Sequence, residues 1–281
     1  MGVKIPAMQP VLGQFGPLTL RTYTVLLDVA VLVGLAALAW QGWRVEDAPA
    51  RWLDAGLSAL VLGLVGGRLG HVTIHWAYFT ANRNEIAEVW RGGLDWHGAV
   101  VGGLLGLGLY CFARRLSFRL VADVLALPLA LGAALVWVGC LAEGCAYGAE
   151  VRSLADYPSP IVAELPDLYG ITAPRFTSQL YGALLGVGLM LPAWLLGLLI
   201  QRVGIRLWAV LLPLALGVFA IGYTRGDVVP VAYGLRLDQV LDLGVAALAL
   251  VGLVVTVATS RESGAEEDIA PDEGAAHAEA A

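Results

Sequence analysis

The chain has 281 residues, 58% of them hydrophobic and 14% charged, with a mean hydropathy of +0.75. Soluble domains carry about a quarter charged residues, so this composition excludes an ordinary soluble enzyme and demands lipid as solvent. The formal net charge of −6 points to no basic ligand, because residues 261–281 hold seven acids and one base while the remainder has 16 of each.

Residues 1–21 form a polar segment punctuated by Pro6, Pro10 and Pro17, expected at the surface. It lacks the apolar core of a secretory signal, so membrane insertion is expected to rest on the first span. Residues 22–40 are that span. A charged loop with interfacial tryptophans (41–54) leads to a glycine-rich second span, 55–78, which holds Arg68, His71 and His75. After a polar loop, residues 96–112 form a third span that opens with His97. Residues 120–140 form the fourth. Residues 149–175, with four prolines, are too polar to span and read as an extramembrane section. Residues 176–200, 207–223 and 240–258 complete seven spans, each of the roughly 17–25 residues a bilayer requires. The Gly-, Ala-, Pro- and Glu-rich stretch 261–281 reads as a disordered acidic tail on a membrane domain of residues 1–260. Short basic loops at 113–119 and 201–206 favour a cytoplasmic C-terminus, and an odd number of spans then puts the N-terminus outside.

Chemistry concentrates in residues 131–148, LGAALVWVGCLAEGCAYG. Gly139, Gly144 and Gly148 interrupt an apolar helix, and Cys140, Glu143, Cys145 and Tyr147 lie between them at a membrane border. Such groups are costly at membrane depth and mark a site, although a small-residue packing face followed by a loop has the same pattern. Three cysteines make no disulfide framework, and Cys140 and Cys145, five apart, form neither a CxxC pair nor a same-face helical pair. His71 and His75 are i,i+4 but lack the acid of an HExxH site, so no metal is expected. Asp238 and Asp242 are also i,i+4, and a solvated helix N-terminus is favoured over a proton or cation path. No phosphate-binding loop, dinucleotide fingerprint or nucleic-acid stripe is present.

Five segments in order, QPVLGQFGPLTLRTY (9–23), GGRLGHV (66–72), GGLDWHGAVVGG (92–103), TSQLYGALLG (177–186) and GLRLDQVLDL (234–243), resemble prolipoprotein diacylglyceryl transferases. VWVGCLAEGCAYG (136–148) stands where that family has its GRIGNFINGELWG signature, and is nearer still to members that read GRIGCFLAGCCYG. The resemblance implies an all-α, seven-span protein of the bacterial inner membrane. It implies transfer of a diacylglyceryl group from phosphatidylglycerol to the lipobox cysteine thiol of an exported prolipoprotein, recognised through its signal-peptide region. No cofactor and no nucleic acid take part. By position, His97 matches the histidine of the family's SFHGG motif and is the implied general base, and Tyr23 matches its first-span tyrosine. Arg68, deep in the second span, suits a phosphate. Gln179 and Tyr181 match the SQLY element, and Arg225 with Asp227 the closing R-G-D of divergent members. Gly139, Cys140, Gly144, Cys145 and Gly148 fall on the signature.

Five positions depart from the pattern. Trp137 stands for the signature arginine, Cys145 for a glutamate and Gly182 for the glutamate after SQLY. Val218 and Gly222 replace an arginine and a glutamate of the sixth span. Tryptophan and valine reproduce neither the charge nor the fork geometry of arginine. Two functions therefore stay open: a transferase whose donor phosphate is held by Arg68 and Arg225, and a non-catalytic lipid- or peptide-binding relative. In either case His97, Arg68 and Arg225 are expected to converge.

Overall fold

The structure is a computed structural model that describes residues 10–16, 18–200 and 203–267. Most of the leading polar segment and the tail beyond residue 267 lie outside the described residues. Eight helices are present among those described: α1 (Thr22–Arg44), α2 (Pro49–Ile74), the short α3 (Trp76–Ala81), α4 (Trp96–Arg114), α5 (Phe118–Glu143), α6 (Ser178–Leu199), α7 (Ile205–Gly222) and α8 (Leu237–Glu267). All but α3 are long and apolar enough to cross a membrane, so the seven expected spans are present in order. The second span begins and ends earlier than the apolar pattern suggests, because the helix already starts at Pro49 and the chain leaves helical geometry at His75 before α3 begins. Helix α8 runs past Arg261 to Glu267.

Three antiparallel hairpins decorate one end of the bundle: β1 (Val11–Phe15) with β2 (Leu18–Arg21), β3 (Val162–Pro166) with β4 (Thr172–Phe176), and β5 (Val231–Ala232) with β6 (Leu235–Arg236). The extramembrane section read at 149–175 is the β3–β4 hairpin and its approaches. Arg21 at the end of β2 forms an ion pair with Glu143 at the end of α5, which ties the first hairpin to the bundle.

Small residues set the helix spacing. A methyl on Gly66 would run into the Gly98 carbonyl, one on Gly102 into that of Leu62, and one on Gly106 into that of Ser58. In lipid, where apolar surface gives no drive to association, such close backbone approach is how helices gain contact. The Ser58 hydroxyl donates to the Gly106 carbonyl at 3.0 Å along the same seam. This packing fixes the start of α4 beside Arg68 of α2. At the opposite end, buried Asp123 of α5 accepts backbone N–H bonds from Gly204 (2.6 Å), Arg206 (2.8 Å) and Leu207 (3.2 Å). The carboxylate thus satisfies the orphan amides at the start of α7 and suits the positive end of its dipole.

Candidate active site

Asp95 is the N-cap of α4. Its Oδ2 accepts the Gly98 amide at 2.7 Å, while Oδ1 faces His97 Nδ1 at 2.9 Å. The other ring nitrogen, Nε2, lies 2.9 Å from Asp242 Oδ1 on α8. His97 is 5% exposed and Asp242 2%, so an imidazole is held between two carboxylates inside the bundle. Burial would raise the Asp95 carboxyl, but the bonds from His97 and the Gly98 amide outweigh it and keep the group below the ordinary carboxylate range.

One turn back on α8, Asp238 meets a second cluster. Arg225 grips Asp227 through Nε (2.9 Å) and Nη2 (2.6 Å) and reaches Asp238 through Nη1 (2.9 Å). Arg236 donates to Asp238 from Nε and Nη2, both at 3.0 Å, and to Asp227 from Nη2 at 3.2 Å. Two cations and two anions close a neutral ring. Burial opposes the charge on Arg236, yet its two carboxylate partners raise its pKa further, so it stays protonated.

Arg68 is bound differently. Its guanidinium donates to the carbonyls of Ile86 (2.9 Å), Glu85 (2.6 Å), Gly92 (2.7 Å) and Gly93 (3.0 Å), and lies 5.3 Å from the Phe79 ring centroid. Carbonyls satisfy its donors without neutralising its charge. The loop it pins continues two residues on to Asp95. Arg68 thus reaches carbonyls two residues before the Asp95 that touches His97, and Arg225 reaches Asp238, one turn before the Asp242 that touches His97; none of the three side chains touches another.

The signature segment forms the adjoining wall. Cys140 and Cys145 are joined in a disulfide, and buried Cys111 is free. The two meet although they are neither a CxxC pair nor on one helical face. Helix-face arithmetic fails here because the chain leaves α5 at Gly144 with φ +73°, which turns Cys145 back onto the last helical turn. Gly144 sits against the Asp167 carbonyl, Gly148 against Phe176 and Gly139 against the Tyr23 ring. Gly148 also bridges to Arg225. Gln179 donates from Nε2 to the Cys145 carbonyl at 3.1 Å, leaving its buried Oε1 without a partner among the described residues. The Tyr181 hydroxyl donates to the Ile161 carbonyl at 2.6 Å.

The departures from the family pattern fall mostly in one place. The Trp137 indole lies directly on Gly182. Trp137 and Val218 share an apolar cluster against which Trp96, Ala146 and Tyr181 pack, and Trp96 stacks beside His97 with ring centroids 4.5 Å apart. Gly222 makes room for the Gln239 side chain.

Asp238 and Asp242 do not form a solvated helix N-terminus. The β5–β6 hairpin and the Arg225 loop cover the start of α8, and both acids find partners. Sequence reasoning missed Asp95, Asp242 and Arg236 as site residues. The signals available were an N-cap acid two residues before His97, and two acids one turn apart inside an apolar span. His71 and His75 stack on each other at 4.3 Å between centroids, and His75 Nδ1 contacts the His71 carbonyl at 3.0 Å. No cluster able to hold a metal ion occurs among the described residues.

A family model for prolipoprotein diacylglyceryl transferase matches residues 10–255. A phosphatidylglycerol–prolipoprotein diacylglyceryl transferase of Rhodospirillum rubrum is 32% identical over 274 residues, covering 91% of this chain and 94% of the relative. One of Thermosynechococcus vestitus is 30% identical over 246 residues, 85% of this chain and 90% of the relative. One of Thermus thermophilus is 32% identical over 202 residues, 63% of this chain and 69% of the relative. The chain belongs to the prolipoprotein diacylglyceryl transferase family.

Proposed function

We propose that this protein transfers a diacylglyceryl group from phosphatidylglycerol to the lipobox cysteine thiol of an exported prolipoprotein, bound through its signal-peptide region. The relatives carry this activity in their names. The observation that carries the proposal in this chain is the placement of His97. A buried imidazole flanked by two carboxylates sits at the hairpin-bearing end of the bundle, and the loop that leads to it is pinned by the Arg68 guanidinium through carbonyls and not carboxylates. That end faces outward from a bacterial cytoplasmic membrane. Support comes from the basic loops at the other end and from the disulfide, which suits an oxidising compartment.

The reaction forms a bond between sulfur and the glyceryl carbon that carries the phosphate. The carbon–oxygen bond to phosphate breaks, and glycerol phosphate leaves with the bonding pair. A thiol with a pKa near 8.5 is mostly protonated at neutral pH, so a base is needed. The Asp95–His97–Asp242 trio supplies it. Arg68 draws the phosphate, because its charge is not spent on a carboxylate. Arg225, Arg236, Asp227 and Asp238 hold the start of α8, and with it Asp242. Tyr23, Gln179, Tyr181 and the Gly139–Gly148 segment form the wall on the α5 side, with Trp96, Trp137 and Val218 as its apolar part.

The test is transfer of labelled diacylglycerol from phosphatidylglycerol vesicles to a lipobox peptide. Wild type should transfer, and Arg68→Gln and His97→Ala should each lower the rate at least about 100-fold, in the range expected for a lost general base or charge-assisted contact. Folded wild type that transfers nothing would refute the proposal.

A further inference from the structure

Each His97 contact joins a ring nitrogen to a carboxylate oxygen at 2.9 Å. Neither pair of atoms forms a hydrogen bond without a proton between them. The three groups therefore share two protons and carry one net negative charge, whichever atoms hold the protons. To act as a base, the trio must accept a third. His97 offers no position for it, since both nitrogens are engaged. The remaining carboxylate oxygens are Asp95 Oδ2 and Asp242 Oδ2. Asp95 Oδ2 already accepts the Gly98 amide at 2.7 Å and caps α4, so protonation there would weaken the cap. Asp242 Oδ2 makes no hydrogen bond among the described residues.

We infer that Asp242, through Oδ2, is the catalytic residue that takes the proton from the acceptor thiol, and that His97 is the positioning residue that holds it. The inference rests on the transferase function proposed above. The charged groups acting on Asp242 are His97 from α4, Asp238 one turn back on α8, and Arg225 from the loop before α8. Both Asp242 and His97 are buried in the closed bundle. Helix α4 meets α8 at the His97–Asp242 contact and at the apolar cluster of Val245, Ala246 and Ala249, on which Trp96, Val100 and Leu104 pack, and the proposal requires the thiol to reach Oδ2 at the hairpin-bearing end of that contact. The S–H proton passes to Oδ2, the thiolate attacks the glyceryl carbon, and glycerol phosphate departs.

A base matters only while the nucleophile needs deprotonating, so the decisive comparison uses two acceptor peptides that differ only in cysteine or selenocysteine. The selenol is ionised at neutral pH and needs no base. Asp242→Asn keeps an oxygen for His97 but cannot take the proton. It should slow transfer to the cysteine peptide by about 10²–10⁴-fold in kcat and leave the selenocysteine peptide within about tenfold of wild type. Equal losses on both peptides would mark Asp242 as merely structural and overturn the inference, as would a loss under about threefold on the cysteine peptide. Wild type provides a measurement that does not depend on the variant folding. Its rate on cysteine should fall with acid through a protonation that the selenocysteine rate does not follow, and superimposable profiles would overturn the assignment. Wild type silent on both peptides would refute the transferase function itself, and the assignment would fall with it.

Discussion

The contact between Trp137 and Gly182 makes a quantitative prediction. A Cβ on Gly182 would overlap the six- and five-membered rings of the indole, and Trp137 is buried with Val218, Leu214 and Ile221 around it. Gly182→Ala should therefore overpack this site, at a cost of about 1–3 kcal/mol. Trp137→Ala should cost about 3–5 kcal/mol through lost burial and the cavity left behind. In the double variant the added methyl enters the space the indole vacated, and alanine is a better helix former than glycine by roughly 1 kcal/mol. Gly182→Ala should then be neutral or stabilising on the Trp137→Ala background. The coupling between the two changes should come to about 1–4 kcal/mol, above the few tenths expected for independent sites. Reversible unfolding of the four proteins in mixed detergent micelles would measure it. If Gly182→Ala costs the same on both backgrounds, the two replacements are unrelated and the packing argument is wrong.

Asp123→Ala would strand three buried amides at the start of α7 and should cost about 2–4 kcal/mol, read in the same unfolding assay, while Asp123→Asn, which keeps one acceptor, should cost less. Breaking the disulfide by Cys140→Ser with Cys145→Ser should cost only about 2 kcal/mol, because the closed loop is short, and a larger loss would mean that the bond holds more than its own turn. Asp95 binds its proton more weakly in the fold than in the unfolded chain, so its contribution is complete above the ordinary carboxylate pKa and is lost as pH falls through the lower folded value. Stability should accordingly decline below about pH 4, and Asp95→Asn should flatten part of that decline; an unchanged slope would show that the His97 and Gly98 bonds do not hold the carboxylate charged.

The spans were legible because seven runs of apolar residues of bilayer length leave little choice of fold, and small residues at Gly66, Gly102 and Gly106 announce a close helix seam. The hairpins were less so: β1 and β2 lie in a stretch where Pro10 and Pro17 mask the alternation. His97, and Arg225 with its partner Asp227, could be chosen by motif, but the partners of His97 could not. Periodicity places Asp238 and Asp242 on one face of α8 without saying whether that face meets water or His97. The answer depends on the fold-over of residues 223–236, which joins positions 145 residues apart. The disulfide escaped for a local reason, since a single left-handed residue at Gly144 cancels the helical spacing on which the reading of Cys140 and Cys145 relied.

The replaced positions and the new partners of His97 make one argument together. Where the family resemblance places two arginines and two glutamates on α5, α6 and α7, this chain has Trp137, Gly182, Val218 and Gly222. The first three pack as an apolar wall, and the fourth gives way to Gln239. Removing one partner of a buried ion pair leaves an uncompensated charge that costs several kcal/mol, whereas exchanging the whole set for well-packed apolar groups is often neutral. The exchange is therefore self-consistent as a set, and any single reversion meets a neighbour shaped for the replacement. The charged groups around His97 lie instead on the α4–α8 side, in Asp95 and Asp242, with the Arg225–Asp227–Arg236–Asp238 ring one turn back. The proton chemistry proposed above therefore sits between α4 and α8, where Asp95 and Asp242 flank His97, and not at the replaced positions of α5, α6 and α7.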